Sequence, residues 1–404
     1  MQIENDIVSV SFDRFPGPKG AATHIEAFAT ALGAHFGRVQ LVTMPPLPDA
    51  LDWQAAGVEL HPLPADGATL FERVLGFQAQ LWSWWKQRYA CRNARPRVAH
   101  IRSIFEGYPI ARDKDQYCEQ LVYEVNGLPS IELKYHYPAV SDDRELLHKL
   151  REQERVCLAA ADRIITVSDV NRRHLLSLGV DDARITVIRN GVDLELFPYR
   201  EPRPWREASS GELRTIRLLY AGTMSSWQGV QHAIEALALS RRELPVVLTL
   251  VGPTRPRQRK EILDFAWRLK VDRFLEVLDP VSKPLLAELH HAADVVLAPL
   301  TRNDRNCEQG CCPLKVLEAL ASGTVLIASD LEVVRELCTD GEHALLVRPG
   351  SGKAIKDALL RLIAEPDLAS VLSLKGREHV EAAFGWGRAQ AELLRLYEGL
   401  RANH

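Results

Sequence analysis

The chain of 404 residues has no apolar run longer than a strand, which leaves no candidate for a membrane-spanning helix. Its N-terminus lacks the basic-then-apolar pattern of a secretory leader. Cysteine is sparse, odd in number and unevenly spaced, seven in all, which argues for reduced thiols in a cytoplasmic protein rather than a disulfide framework. A net charge of −3 gives no global pull toward nucleic acid. There is no internal repeat, no low-complexity segment and no G-x-G-x-x-G, so a nicotinamide-dinucleotide site is poorly supported. What is present is ordinary soluble-globular composition, 46% hydrophobic and 25% charged, at a length that predicts two domains.

Short β-rich runs alternate with longer helical stretches along the whole chain, the pattern of parallel sheets covered by helices on both faces. The first half offers strands at Ile7–Phe12, Val39–Met44, Val58–Leu63, Val98–Arg102, Gln120–Val125, Arg163–Val167 and Ile185–Ile188. The second offers Arg217–Ala221, Val246–Val251, Phe274–Leu278, Val295–Ala298, Val325–Ala328 and Ala344–Val347. Between them FPYREPRPWREASSGELR is rich in proline and charge without periodicity, and reads as a linker with the boundary near Pro198–Leu213.

The stretch Gly310–Gly323, GCCPLKVLEALASG, carries the most chemistry. Leu314–Ala321 has helical spacing, and Pro313 precedes it where a missing N–H costs nothing. The free N–H groups of the first turn favour an anion such as a diphosphate. Lys315 puts positive charge at the end of the helix where it does not help the dipole, so an anionic ligand explains it better than folding does. Glu318 follows one turn later, placed to accept hydrogen bonds from a ribose diol. The loop after the opening strand, DRFPGPKGAATHIEAF, is a second phosphate candidate: Gly17 and Gly20 permit a tight turn, Lys19 adds charge, and Gly20 opens a helix. Arg102 and Glu106 flank another strand end as candidate acceptor contacts. Cys307, Cys311 and Cys312 lack a fourth ligand at zinc spacing, so no metal site is expected.

Four stretches in register then resemble family 4 retaining glycosyltransferases: IITVSDVNRRHL with VIRNGVDLELF, LLYAGTMSSWQGVQHAIEAL, the Gly310–Gly323 segment with VLIASD and HALLVRPG, and FGWGRAQAELLRLYEGL. The resemblance covers nearly the whole chain. It implies a GT-B fold, two Rossmann-like domains facing each other across a cleft. Residues 1–200 would form the acceptor-side domain, 214–384 the nucleotide-sugar domain, and helix 385–404 would pack back on the first. It implies a metal-independent enzyme with a nucleoside-diphosphate sugar as co-substrate and no cofactor. The donor would be held by Gly20, Gly222, Thr223, Gln228, Gly310, Cys311, Cys312, Leu314 and Glu318, with Lys315 and Asn126 acting in the reaction.

Three departures from the family pattern stand out. Gln228 replaces a lysine that clamps the diphosphate, which leaves Lys315 with more of the neutralisation. Gly310 stands where a first glutamate is common, and Glu308 nearby is a weak substitute on a loop. The G-x-x-P-L-K arrangement resembles a branch in which backbone N–H groups near Cys311–Leu314 hold sugar hydroxyls. Asn126 replaces a histidine; it can bond a hydroxyl but takes up no proton near neutral pH. Glu124 is expected to point to the opposite face of that strand as a satisfied structural carboxylate.

Other readings stay open. A sugar-nucleotide 2-epimerase shares the fold, and a catalytically silent scaffold is the non-enzyme alternative. Trp82, Trp84 and Trp85, followed by Lys86, Arg88, Arg92, Arg95 and Arg97, read first as a helix packing its aromatics. The second reading is a peripheral contact of the 82–97 region with the inner face of a membrane. The acceptor is unknown.

Overall fold

The computed structural model describes residues 6–17, 20–47, 52–92 and 94–402; Lys19 and the side chain of Arg92 lie outside the described residues. The chain divides into two compact units, Met1–Arg189 with Ala389–His404, and Asn190–Arg388. The first unit's strands are β1 (Ile7–Arg14), β2 (Val39–Met44), β3 (Val58–Pro62), β4 (Val98–Ile101), β5 (Gln120–Val125), β6 (Arg163–Thr166) and β7 (Ile185–Val187). They form one parallel sheet in the order β3-β2-β1-β4-β5-β6-β7. The second unit's are β8 (Ile216–Ala221), β9 (Val246–Val251), β10 (Leu275–Leu278), β11 (Val295–Ala298), β12 (Val325–Ser329) and β13 (Leu345–Val347), parallel in the order β10-β9-β8-β11-β12-β13.

The central segments are strands because they are apolar on both faces, as a sheet covered by helices on each side requires; the edge strands β3, β7 and β10 are only partly buried. Every residue of β4, β11 and β12 is buried. One core gathers Val8, Val10, Ile101, Leu121, Tyr123 and Ile164, the other Leu218, Leu248, Leu250, Val295, Leu297 and Ile327. In each unit the strand order reverses beside the first strand, with β2 and β4 on opposite sides of β1, and β9 and β11 on opposite sides of β8. Beyond the carboxyl ends of such strands an open α/β sheet leaves a crevice for ligands.

The segment 198–214, read from sequence as a linker, is packed onto the second unit. Trp205 is buried in that unit's core, and the buried Asp294 accepts from Arg203 at 2.7 Å, from Arg214 at 2.8 Å and from the Arg217 N–H at 2.8 Å. A proline-rich stretch without periodicity is not thereby free; here two of its arginines on one buried carboxylate, and a buried tryptophan, hold it. The last helix, Trp386–Ala402, joins the first unit from Ala389 onward: Gln390 Nε2 donates to the Ala27 carbonyl at 3.0 Å, and buried Tyr397 meets His100 Nδ1 at 2.7 Å. Among the described residues no helix is long and apolar enough to cross a membrane.

Candidate active site

In the second unit the site grows from the carboxyl ends of β8 and β11. After β8 the backbone turns at Gly222 with φ +142°, and a side chain there would place its Cβ 2.9 Å from Lys315 Nζ. Gly229, φ +73°, ends the turn under the Pro299 carbonyl, with no room for a Cβ at 1.9 Å. After β11 a helical turn, Arg305–Gln309, leads to Gly310 at φ +83°, then to the helix Leu314–Ser322, which no side chain caps. Glu308, expected on a loop, is exposed on that turn.

Lys315, 6% exposed, lies in the first turn of the helix. Its Nζ donates to Gln228 Oε1 at 2.7 Å and sits 3.9 Å from the centre of the Tyr220 ring. Burial lowers its pKa to about 7, against the attraction of Glu318. Burial likewise raises Glu318 to about 7, opposed by Lys315 and Lys283. The Thr223 carbonyl accepts from the Tyr220 hydroxyl at 2.5 Å, while Thr223 Oγ1 is buried with no hydrogen-bond partner among the described residues. Gly222, Gln228 and Lys315 therefore meet at one point, with Thr223 beside them and Glu318 one turn along the helix. Gly310, expected among the residues that hold the donor, donates its N–H to the Arg305 carbonyl at 3.1 Å. Cys311 and Cys312 are buried, and the Cys312 carbonyl accepts from Asn190 Nδ2 at 2.7 Å. Leu314 is half-buried and begins the helix.

In the first unit the corresponding strand ends converge on Glu124. Its carboxylate accepts from Arg102 Nε at 2.9 Å, lies 3.0 Å from His100 Nε2 and 3.1 Å from His24 Nε2, and is hydrogen-bonded by Asn126 Nδ2. Against the burial that would raise it, Arg102, His24 and His100 hold the Glu124 pKa well below its ordinary value. The expectation that Glu124 faces away from Asn126 is wrong. Side chains alternate with a period of two along a strand, so residues two apart share a face. Arg102 also reaches Asp13 Oδ2 at 3.3 Å, and His24 lies in the helix Gly20–Phe36, one turn beyond the exposed Gly20 at its start.

Glu106, expected to contact an acceptor, is fully buried and closes a capping box. Its Oε1 accepts from the N–H groups of Arg102 at 2.9 Å and Ser103 at 2.6 Å, ahead of the helix Ile104–Arg112. The S-x-x-E spacing of Ser103 and Glu106 was the signal for that role. Sequence reasoning did not single out Tyr220, His24, His100 or Asp13. Each belongs to a different element from its partner, and spacing along the chain carries no sign of the contact.

Of the aromatic segment, Trp85 is buried, Trp84 is half-buried and Trp82 is 54% exposed with Lys86 Nζ 5.0 Å from its ring centre. No group of three or more His, Cys, Asp or Glu among the described residues is placed to hold a metal ion.

Residues 18–196 match the model of Glycosyltransferase Family 4, and residues 215–365 that of Glycosyl transferases group 1, between them most of the chain. The chain belongs to the family 4 glycosyltransferases. This glycosyltransferase is 27% identical over 266 residues to the alpha-maltose-1-phosphate synthase of Mycolicibacterium smegmatis, covering 62% of this chain and 66% of that protein. It is 28% identical over 313 residues to a D-inositol 3-phosphate glycosyltransferase of Kribbella flavida, covering 74% and 70%. The matches thus span about two thirds of those relatives' length. Among solved structures it resembles a sucrose-phosphate synthase from Thermosynechococcus elongatus, with a TM-score of 0.79 and 22% identity over 99% of this chain and 100% of that one. It also resembles Anabaena HepE in complex with UDP and glucose, at 0.72 and 15% over 97% and 99%. The fold is GT-B, built from two Rossmann-like domains.

Proposed function

We propose that this glycosyltransferase moves a sugar from a nucleoside-diphosphate sugar to a hydroxyl acceptor with retention at the anomeric carbon, using neither a metal ion nor a cofactor. The observation that carries the reading is Lys315, an ammonium buried at an uncapped helix N-terminus against a glycine turn. Burial disfavours that charge more than Glu318 supports it, and a diphosphate is the anion that a helix N-terminus and an adjacent ammonium fit together. Glu318, one turn on, takes the ribose hydroxyls, and Gly222, Thr223 and Gln228 line the phosphate. HepE has also been solved with UDP-glucose, and a starch synthase IV of the same fold with ADP, which supports a nucleoside diphosphate as the donor class.

In the reaction the bond from the sugar's anomeric carbon to the diphosphate breaks. The bond to the acceptor oxygen forms on the same face, and the acceptor's proton goes to the departing diphosphate. Such chemistry asks for positioning and charge stabilisation more than for a side-chain base. Lys315 opposes the growing diphosphate charge. Asn126, held by Glu124, offers its amide to a hydroxyl, and Gly20 opens a helix whose N-terminal end suits a phosphate or an acceptor hydroxyl. The acceptor is a glycan, a lipid-linked sugar or a small molecule. Arg102 is bound to two carboxylates, so its acceptor role is to order the strand end rather than to bring free charge.

Thermal unfolding with UDP, GDP and ADP tests the reading. A matching nucleotide at a hundred times its Kd stabilises by about 2.7 kcal/mol. Failure of all three to shift the transition would sink the donor-site assignment and revive the silent scaffold.

A further inference from the structure

His290, in the last turn of the helix Lys283–Ala292, is fully buried, and neither of its ring nitrogens has a hydrogen-bond partner among the described residues. Its ring stands edge-on to Phe197 at 5.4 Å, and its backbone carbonyl accepts from Thr324 Oγ1 at 2.9 Å. The polar atom facing the imidazole is Glu318 Oε2, 3.9 Å from Nε2. Buried polar atoms are almost always paired, and a leucine or phenylalanine would fill this position without an orphan nitrogen. A histidine here therefore needs a reason, and the half-buried carboxylate in front of it supplies one.

Burial lowers the His290 pKa to about 3, so the ring is neutral near pH 7 and carries one N–H to give. Glu318 in its ionised form, which prevails above about pH 7, only accepts. Closing the 3.9 Å gap to an ordinary N–H···O length of about 3.0 Å takes a shift of roughly 1 Å, within side-chain adjustment.

We propose that His290 is the positioning residue of Glu318: its neutral imidazole donates Nε2–H to Glu318 Oε2 and turns the other carboxylate oxygen, Oε1, toward the ribose hydroxyls of the donor nucleotide. The inference rests on the reading of Glu318 as the ribose-holding group and adds what aims it. His290 itself does not touch the nucleotide.

The test compares a ribonucleoside diphosphate with its 2′-deoxy counterpart, using whichever of UDP, GDP or ADP stabilises the protein, by calorimetry on the full chain. His290→Phe keeps an aromatic ring against Phe197 and removes the N–H. It should weaken the ribonucleotide about tenfold and leave the 2′-deoxynucleotide within twofold of wild type. His290→Gln, whose amide nitrogen reaches the place of Nε2, should restore discrimination, and unchanged melting temperatures show that the variants fold. An equal loss for both nucleotides would mean that His290 only packs, and the proposal would be wrong. If Glu318→Ala abolishes discrimination while His290→Phe does not, the His290 role alone is overturned. If Glu318→Ala leaves discrimination intact, the ribose reading falls and His290 falls with it.

Discussion

Lys315 is held in a place that disfavours its charge, and its pH behaviour follows from that. In the free protein it titrates at about 7, below the ordinary 10.5. A bound diphosphate favours the ammonium and raises that value. Between about pH 7 and the bound-state value, donor binding takes up a proton and affinity falls as pH rises; below pH 7 this lysine adds no pH dependence. Stability runs the other way. The unfolded lysine stays protonated to about 10.5, so the cost of burying the charge is complete below pH 7 and is relieved as pH climbs from there. Calorimetry of a nucleotide-sugar in two buffers of different ionisation enthalpy at pH 8 should reveal the proton uptake, and its absence would place Lys315 outside the diphosphate site. Lys315→Ala should lower kcat on the order of 10²–10³-fold, because the charge it opposes grows as the glycosidic bond breaks. Gln228→Lys in that background should restore part of the rate, since Gln228 Oε1 lies 2.7 Å from Nζ and a lysine there carries an ammonium to nearly the same point. Turnover at saturating donor, or slow donor hydrolysis, measures both.

At the scale of elements, the helix Ile104–Arg112 separates folding from function. Glu106 spends Oε1 on two backbone N–H groups, and burial raises its pKa to about 8 although those bonds oppose it. Glu106→Ala leaves the two N–H groups without this acceptor and should destabilise by about 1–3 kcal/mol, whereas Glu106→Gln keeps a carbonyl oxygen in place and should cost less. Chemical denaturation of the two variants decides. A fully stable Glu106→Ala with a raised acceptor KM would return the residue to the acceptor site. The strands themselves were legible. All thirteen stand within two residues of where β-rich runs placed them, the central ones because a strand buried on both faces cannot hide its composition. The helix Leu314–Ser322 was legible for another reason: a proline before it, Gly323 at φ +78° after it, and Lys315 and Glu318 one turn apart are all local features.

At the scale of the molecule, the proposed reaction rests on a buried lysine at a helix N-terminus and calls on no divalent ion. Donor-dependent turnover is therefore expected to survive EDTA. Full loss on chelation, restored by Mg²⁺ or Mn²⁺, would contradict that. The sequence by itself determined the strands, the alternation that makes two parallel sheets, and the short-range chemistry of the Gly310–Gly323 segment, because each depends on residues within a few positions of one another. The tertiary structure decided the rest. Glu124 gathers His24 from a helix, His100 and Arg102 from β4 and its end, and Asn126 from just past its own strand, while Tyr397 reaches His100 across 297 positions. Gln228 meets Lys315 across 87 positions, and His290 comes to face Glu318 only because two helices pack together. Those contacts are set by the order in which strands lie in each sheet, β1 beside β4 and β4 beside β5 in the first and β8 beside β11 beside β12 in the second, which spacing along the chain does not encode. A buried charge takes its pKa from neighbours delivered by that order, and so the properties of Lys315, Glu124 and His290 belong to the folded protein.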